Sequence, residues 1–316
     1  MWRMRTLALG AIRHACHACG NCCTGWRVKV ADSERERIER HAAALGVLAP
    51  LVDGTLRAEG GRCVFLGAAR LCRIHAAFGA AEKPGICQVF PRVAIRTEDA
   101  IRIGADPGCA STWRTFADGP LIDFPAVHSP RDELRSVEIA EGELDLIRLV
   151  RHRDMDVPRL AAVLCGDDSH LPRLPPGLVT RLFTRMRELD FFITHPEAGA
   201  LIVDDLAAVA TLLREVDPTR PPTLAFTPET SALTLEVLAR TLFLRLGDGV
   251  LAPAGQLLLV LAGAVACAAA HPSIERFGPA LAAWSRLSRL PGFWTPFIPD
   301  EAAARYILTG APSPGR

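Results

Sequence analysis

Cys16-His17-Ala18-Cys19-Gly20-Asn21-Cys22-Cys23 places four thiols within eight residues. Cys63, Cys72, Cys87 and Cys109 follow, so eight of the ten cysteines fall in roughly the first third of the chain. Thiols this dense either hold a metal or form disulfides. Cys16, Cys19 and Cys22 recur at every third residue, which lets one loop wrap a single centre and present three thiolates to it. Iron–sulfur cubanes use such spacing, with the fourth ligand remote in sequence. Structural zinc more often takes two separated Cys-x-x-Cys pairs, whereas the later cysteines here are single. The spacing therefore favours an iron–sulfur cluster, of the 4Fe–4S kind, with zinc second. Disulfides and unligated thiols are the lesser alternatives.

The side chains of Cys22 and Cys23 point in different directions in an extended or turning loop, so they need not bind the same atom. All eight thiols, Cys16, Cys19, Cys22, Cys23, Cys63, Cys72, Cys87 and Cys109, are candidate ligands. They suffice for two four-cysteine sites, or for one site plus a redox or open position. The other two read as core residues: Cys165 closes the apolar run 160–164, and Cys267 lies within the apolar run 257–270.

Other polar residues have simpler readings. His14, His17 and His75 flank the thiols, but a histidine beside a metal loop more often hydrogen-bonds than ligates. Trp26 reads as packing beneath the loop. Asp204-Asp205 and the pair Glu143/Asp145 read as exposed helix faces or N-terminal charges. No Ser/His/Asp arrangement, phosphate loop or basic–aromatic surface is present, so no catalytic residue is assigned and no nucleic-acid partner is expected. The net charge of +1 supplies no global field toward nucleic acid or an anionic membrane.

The elements that must position these thiols are short. Trp26, Val28 and Val30 alternate with Arg27 and Lys29, predicting a half-buried strand. Ser33-Glu34-Arg35-Glu36 is a capping-box pattern ahead of Ile38, Ala42 and Leu45 on one helical face, with Gly46 placed to end the helix. Val93 and Ile95, then Ile101 and Ile103, alternate on both sides of residues 97–100 and predict a β-hairpin. Such a fragment buries little core, and a metal would supply the missing stability. After a Pro/Gly-punctuated connection over 118–130, the chain reads helical. Ser129-Pro130 is placed to start a helix, and helical spacing recurs at 144–150, 179–192, 206–216, 233–246 and 277–290. The predicted fold is α+β, with a small cysteine-rich domain over 14–117 packed on a mainly helical domain over 130–316.

The ordered set Cys16-x-x-Cys19-x-x-Cys22-Cys23, Cys63-Val-Phe-Leu, Cys72-Arg-Ile-His75, Lys83-Pro84-x-x-Cys87 and Phe90-Pro91 resembles the YkgJ-type cysteine-cluster family, described as a zinc- or iron-chelating domain. The resemblance covers about residues 14–117 and implies that these cysteines are metal ligands. The pattern is also similar to the N-terminal part of bacterial flagellin lysine N-methylases, through Cys22-Cys23-x-Gly25-Trp26, Leu71-Cys72-Arg73 and Cys87-x-x-Phe90-Pro91-Arg92. That second resemblance implies S-adenosylmethionine and an iron–sulfur cluster. It is the weaker of the two, because Lys83-Pro84 fits the chelating family better. No Gly-rich strand-to-helix turn accompanies it.

Three expectations about surroundings follow. Residues 1–12 only faintly imitate a signal peptide, and Arg13-His14 interrupts the short apolar run, so a cytoplasmic location with reduced thiols is expected. The most apolar stretch, 250–270, carries Pro253, Gly255 and Gln256 in its first third, so it reads as a buried central helix and no membrane span is expected. A protein partner is left open.

Overall fold

The computed structural model describes residues 5–24, 27–124, 130–165, 226–247 and 253–289. Helix α1 spans Asp32–Ala44 and buries Ile38 and Ala42, the helical face expected from their spacing. Gly46 follows it with φ 68°, the left-handed conformation that glycine adopts without Cβ strain. The start differs from the expected capping box. Ala31 is the N-cap, no side chain caps the helix, and Ser33 lies inside the first turn.

Ahead of α1, Thr6–Leu7 forms β1. Beyond it come two tight hairpins, β2 (Leu51–Val52) with β3 (Thr55–Leu56), and β4 (Ala58–Glu59) with β5 (Arg62–Cys63). Of the strand expected at 26–30, the described residues 27–30 form an isolated Lys29–Thr55 bridge, flanked by Val30 N–H to Gly54 O and Leu56 N–H to Val28 O at 2.8 Å each. Val30, Ile38, Ala42, Val47, Leu56, Phe65 and Ile74 form one small core, with Cys63 and Cys72 packed against it.

Three short helices follow: α2 (Arg73–Phe78), α3 (Gly85–Val89) and, after the sheet, α4 (Thr112–Thr115). The expected hairpin is present as β6 (Arg92–Arg96) antiparallel to β7 (Ile101–Ala105), pairing Val93 with Gly104 and Ile95 with Arg102. β1 adds parallel to β7, and β8 (Arg131–Asp132) adds parallel to β6, giving the order β1-β7-β6-β8.

Pro130 therefore leads into an edge strand, not a helix. Helix α5 begins later, at Val137, with Ser136 as N-cap, and runs to Val150. Helix α6 spans Val157–Cys165, α7 Pro228–Phe243, α8 Pro253–Ala270 and α9 Ile274–Leu287. Thr227 caps α7 in a reciprocal capping box with Thr230. The expected helices at 179–192 and 206–216, with Asp204 and Asp205, lie outside the described residues.

Helix α8 is buried all round: Leu257, Leu258, Leu259, Val260 and Leu261 are all enclosed. A helix apolar on every face belongs in the centre of a bundle, and α7 and α9 both pack on α8. Gly263 admits the Trp284 indole so closely that a Cβ there would lie 1.9 Å from the ring. Trp284 Nε1 donates to Leu259 O at 3.0 Å. Among the described residues no helix is long and apolar enough to cross a membrane.

The pair Glu143/Asp145 divides. Asp145 is exposed and bonds Arg148. Glu143 is fully buried, which corrects the exposed-face reading. It accepts from Arg102 Nη1 at 2.5 Å, Arg135 Nη1 at 3.0 Å and Arg245 Nε at 3.0 Å. Arg245 continues to Glu98 in the β6–β7 turn, at 2.9 and 2.8 Å. A buried charge persists only when paired, and here guanidinium groups from the sheet, the α5 approach and the end of α7 supply the pairing.

Candidate metal centre

The thiol loop is held at both ends. Before it, His14 N–H donates to Pro120 O and Ile122 N–H to Ile12 O, both at 3.0 Å. Within it, Gly20 adopts φ 75°, and a Cβ there would lie 2.6 Å from Arg70 O. Glycine is thus required on two counts, conformation and close approach. Asn21–Cys23 then forms a single 3-10 turn, with Cys23 N–H to Gly20 O at 2.8 Å. Arg70 reaches across from the segment between Cys63 and Cys72, donating to Cys19 O at 2.8 Å and to Asn21 Oδ1 at 2.6 Å. From the helical bundle, Arg286 Nη1 donates to Asn21 O.

Each later cysteine sits on its own element. Cys63 ends β5, and its carbonyl accepts from Leu66 N–H at 2.8 Å. Cys72 is the N-cap residue of α2 and bridges back to Leu66, while Arg73 N–H donates to Phe65 O at 2.7 Å. Cys87 lies in α3, where Lys83 Nζ donates to its carbonyl at 3.0 Å. The α3 start is pinned to α1 by Gly85 N–H to Glu34 Oε1 at 2.8 Å. Cys109 follows the β7 turn, its N–H donating to Asp106 O at 3.1 Å. Ser111, two residues on, accepts from His17 N–H at 3.2 Å and ties this turn to the thiol loop.

The thiols feel one another. Cys22 is drawn down to about 6 by the hydrogen bond from the Cys23 thiol, against desolvation and with help from Lys83 and Arg286. Cys23 is pushed far up by that same hydrogen bond, by burial, and by Cys22, Cys63 and Cys72. Burial first, then Cys72 and Cys22, raise Cys63 to about 11 against a backbone hydrogen bond. Burial first, then Cys63, Cys22 and Cys72, raise Cys87 to about 12, with Lys83 opposing. Cys109 also rises to about 12, through burial and then Cys19, Cys22 and Asp106, although a backbone hydrogen bond at Ser111 opposes it. Cys22 is therefore common to two neighbourhoods, one with Cys23, Cys63, Cys72 and Cys87, the other with Cys19 and Cys109. It is exposed as a residue, although its sulfur is partly desolvated.

Cys16 is exposed and accepts Ala18 N–H at 3.4 Å. The described cysteines are all free of disulfides. Cys267 is buried in α8, away from the cluster's elements. Trp26 and the side chain of Cys165 lie outside the described residues. His14 is buried, His17 exposed and His75 half-buried on α2. Among the described residues, no group of three or more His, Cys, Asp or Glu side chains is already placed to hold an ion. The thiols are neighbours rather than a finished cage.

The donor set nevertheless fits a thiophilic metal. Soft sulfur donors suit zinc and iron–sulfur clusters. Several crowded thiols that resist ionising together gain most from a cation, which deprotonates its thiol ligands. Two of the polar residues that shape this site, Arg70 and Arg286, carried no signal in the sequence, whereas Lys83 stands in the Lys83-Pro84 motif and Asp106 opens the turn signal Asp106-Pro107-Gly108.

Residues 15–110 match the family model CxxCxxCC, described as "Putative zinc- or iron-chelating domain". The matched segment runs from the thiol loop through Cys109 and is the cysteine-cluster family that the sequence pattern resembles. No curated protein and no solved structure matches the chain. The first third of the chain is therefore similar to a metal-chelating domain. The match does not extend to methylases or to S-adenosylmethionine.

Proposed function

We propose that this protein binds metal through thiolates, with an iron–sulfur cluster the favoured occupant and zinc second, and that its ligands are drawn from the eight N-terminal cysteines, which suffice for two four-cysteine sites or for one site plus a redox or open position. What supports the reading is that Cys22, Cys23, Cys63, Cys72 and Cys87, from four separate segments, lie near enough to shift one another's ionisation, with Arg70 tying the Cys63–Cys72 segment to the thiol loop. Cys19 and Cys109 join through Cys22. Cys16 belongs to the same wrapping loop by its spacing from Cys19 and Cys22.

The centre has a structural task. The core beside the thiols has seven buried hydrophobic residues, the hairpins next to it are built of two-residue strands, and Cys63 and Cys72 already pack against that core. Metal bonds would supply the cohesion that so small a core lacks. A redox task is added if the occupant is iron–sulfur, since the exposed Cys22 brings the centre near the surface.

Anaerobic purification followed by visible spectroscopy tests the choice of occupant. An iron–sulfur centre gives a brown protein that bleaches on reduction and contains acid-labile sulfide. A colourless protein with stoichiometric zinc would replace the first choice by the second.

A further inference from the structure

A cavity of about 220 Å³ lies where the approach to the thiol loop, strand β7 and helix α7 meet. Its apolar wall includes Ile103, Phe243 and Leu244, and its charged wall is Arg13, Arg151, Arg240 and Glu236. Arg240 is the buried one, with 7% of its side chain exposed. Its Nε donates to Glu236 Oε1 at 2.7 Å, but its Nη1 has no hydrogen-bond partner. A buried guanidinium N–H without an acceptor is costly and rare. Arg151 stands at the more exposed edge, 3.7 Å from Glu236 Oε2. Arg13 is fixed by donation from Nη1 to Gly119 O at 2.6 Å.

We propose that this cavity binds a small organic monocarboxylate, its carboxylate accepting from Arg240 Nη1 and its short apolar body lying against Ile103, Phe243 and Leu244. Three guanidinium groups against one carboxylate leave the wall cationic, and guanidinium is the donor best matched to carboxylate oxygens. Glu236 disfavours a dianion, which would meet like charge beside Arg240. The volume exceeds the space a single water needs and falls short of a drug-sized pocket, so the ligand is a compact one. The site uses none of the eight thiols and does not rest on the metal-centre reading.

Isothermal calorimetry on the full chain tests this with sodium butyrate, sodium succinate and inorganic phosphate, each at matched ionic strength against chloride. Butyrate should bind saturably at one site and more tightly than succinate or phosphate. Arg240→Gln should weaken butyrate at least tenfold. Arg151→Gln, at the exposed edge where folding is not at stake, should weaken it a few-fold. Absence of saturable butyrate binding to the unaltered protein would overturn the proposal. So would preference for phosphate or succinate, or unchanged affinity in both variants.

Discussion

Arg289 holds Asp106 in a two-point ion pair, Nη1 to Oδ2 and Nη2 to Oδ1, each at 2.8 Å. Asp106 also accepts Gly108 N–H at 2.7 Å and sits three residues before Cys109. Burial pushes its carboxyl up, but the charge and hydrogen bonds of Arg289, the Gly108 N–H and Arg286 outweigh that and hold it below the usual range. The helical bundle thereby fixes the turn that presents a thiol. Removing one partner leaves the other charge buried and unpaired, so Arg289→Ala should destabilise the chain by about 3 kcal/mol. Urea denaturation reads this. An unchanged midpoint would show that the pair does not hold the two parts together.

Gly20→Ala should be damaging although it adds one methyl group. The residue has φ 75°, and its new Cβ would meet Arg70 O at 2.6 Å. Strain of this kind costs on the order of 1–3 kcal/mol, and the Asn21–Cys23 turn should lose its place. Melting temperature and bound metal are expected to fall together. Wild-type metal content in this variant would mean that the loop tolerates rearrangement.

Acid should loosen the junction between sheet and bundle through Glu98. Burial raises its carboxyl, but the hydrogen bonds from Arg245, those from its own and the Arg135 backbone N–H, and the charge of Arg245 together bring it to about 2. An unfolded glutamate titrates near 4.3, roughly. A depressed folded value means that the contribution is present above the unfolded pKa and is lost as pH falls through the window toward about 2. Glu143, Arg135 and Arg245 face the same site. Glu98→Gln should therefore flatten the fall of stability across that window. Identical pH slopes for both proteins would contradict this.

The two remaining cysteines should be silent in metal binding. Cys267 is fully buried in α8, and burial alone pushes its thiol up. Cys165 ends α6. Cys→Ala at either position should leave bound metal unchanged, at a stability cost of about 1 kcal/mol. Loss of stoichiometric metal in either variant would place that cysteine among the ligands.

Local patterns in the sequence carried some of these features, and long-range pairing hid the others. The β6–β7 hairpin shows as two-residue alternation at 93–95 and 101–103, and α5, α7 and α9 as helical spacing, because each pattern is written within one element. The burial of Glu143 is not written locally, since its partners Arg102 and Arg245 lie 41 and 102 residues away. The packing of β1 and β6 residues on the helical core was likewise hidden: Leu7 and Val93 join the bundle, not the small core beside the thiols. Thiol spacing announced the centre, but the Arg70 and Arg286 contacts that fix its loop arise from the fold.

Metal analysis of the anaerobically purified full chain, paired with the double variant Cys63→Ser/Cys72→Ser, tests the central claim most directly. The unaltered protein should contain stoichiometric iron or zinc. The double variant should lose most of it and melt earlier, because both thiols are proposed ligands and both pack on the small core. A folded, unaltered protein without either metal, or a double variant with full metal content and unchanged melting, would contradict the account.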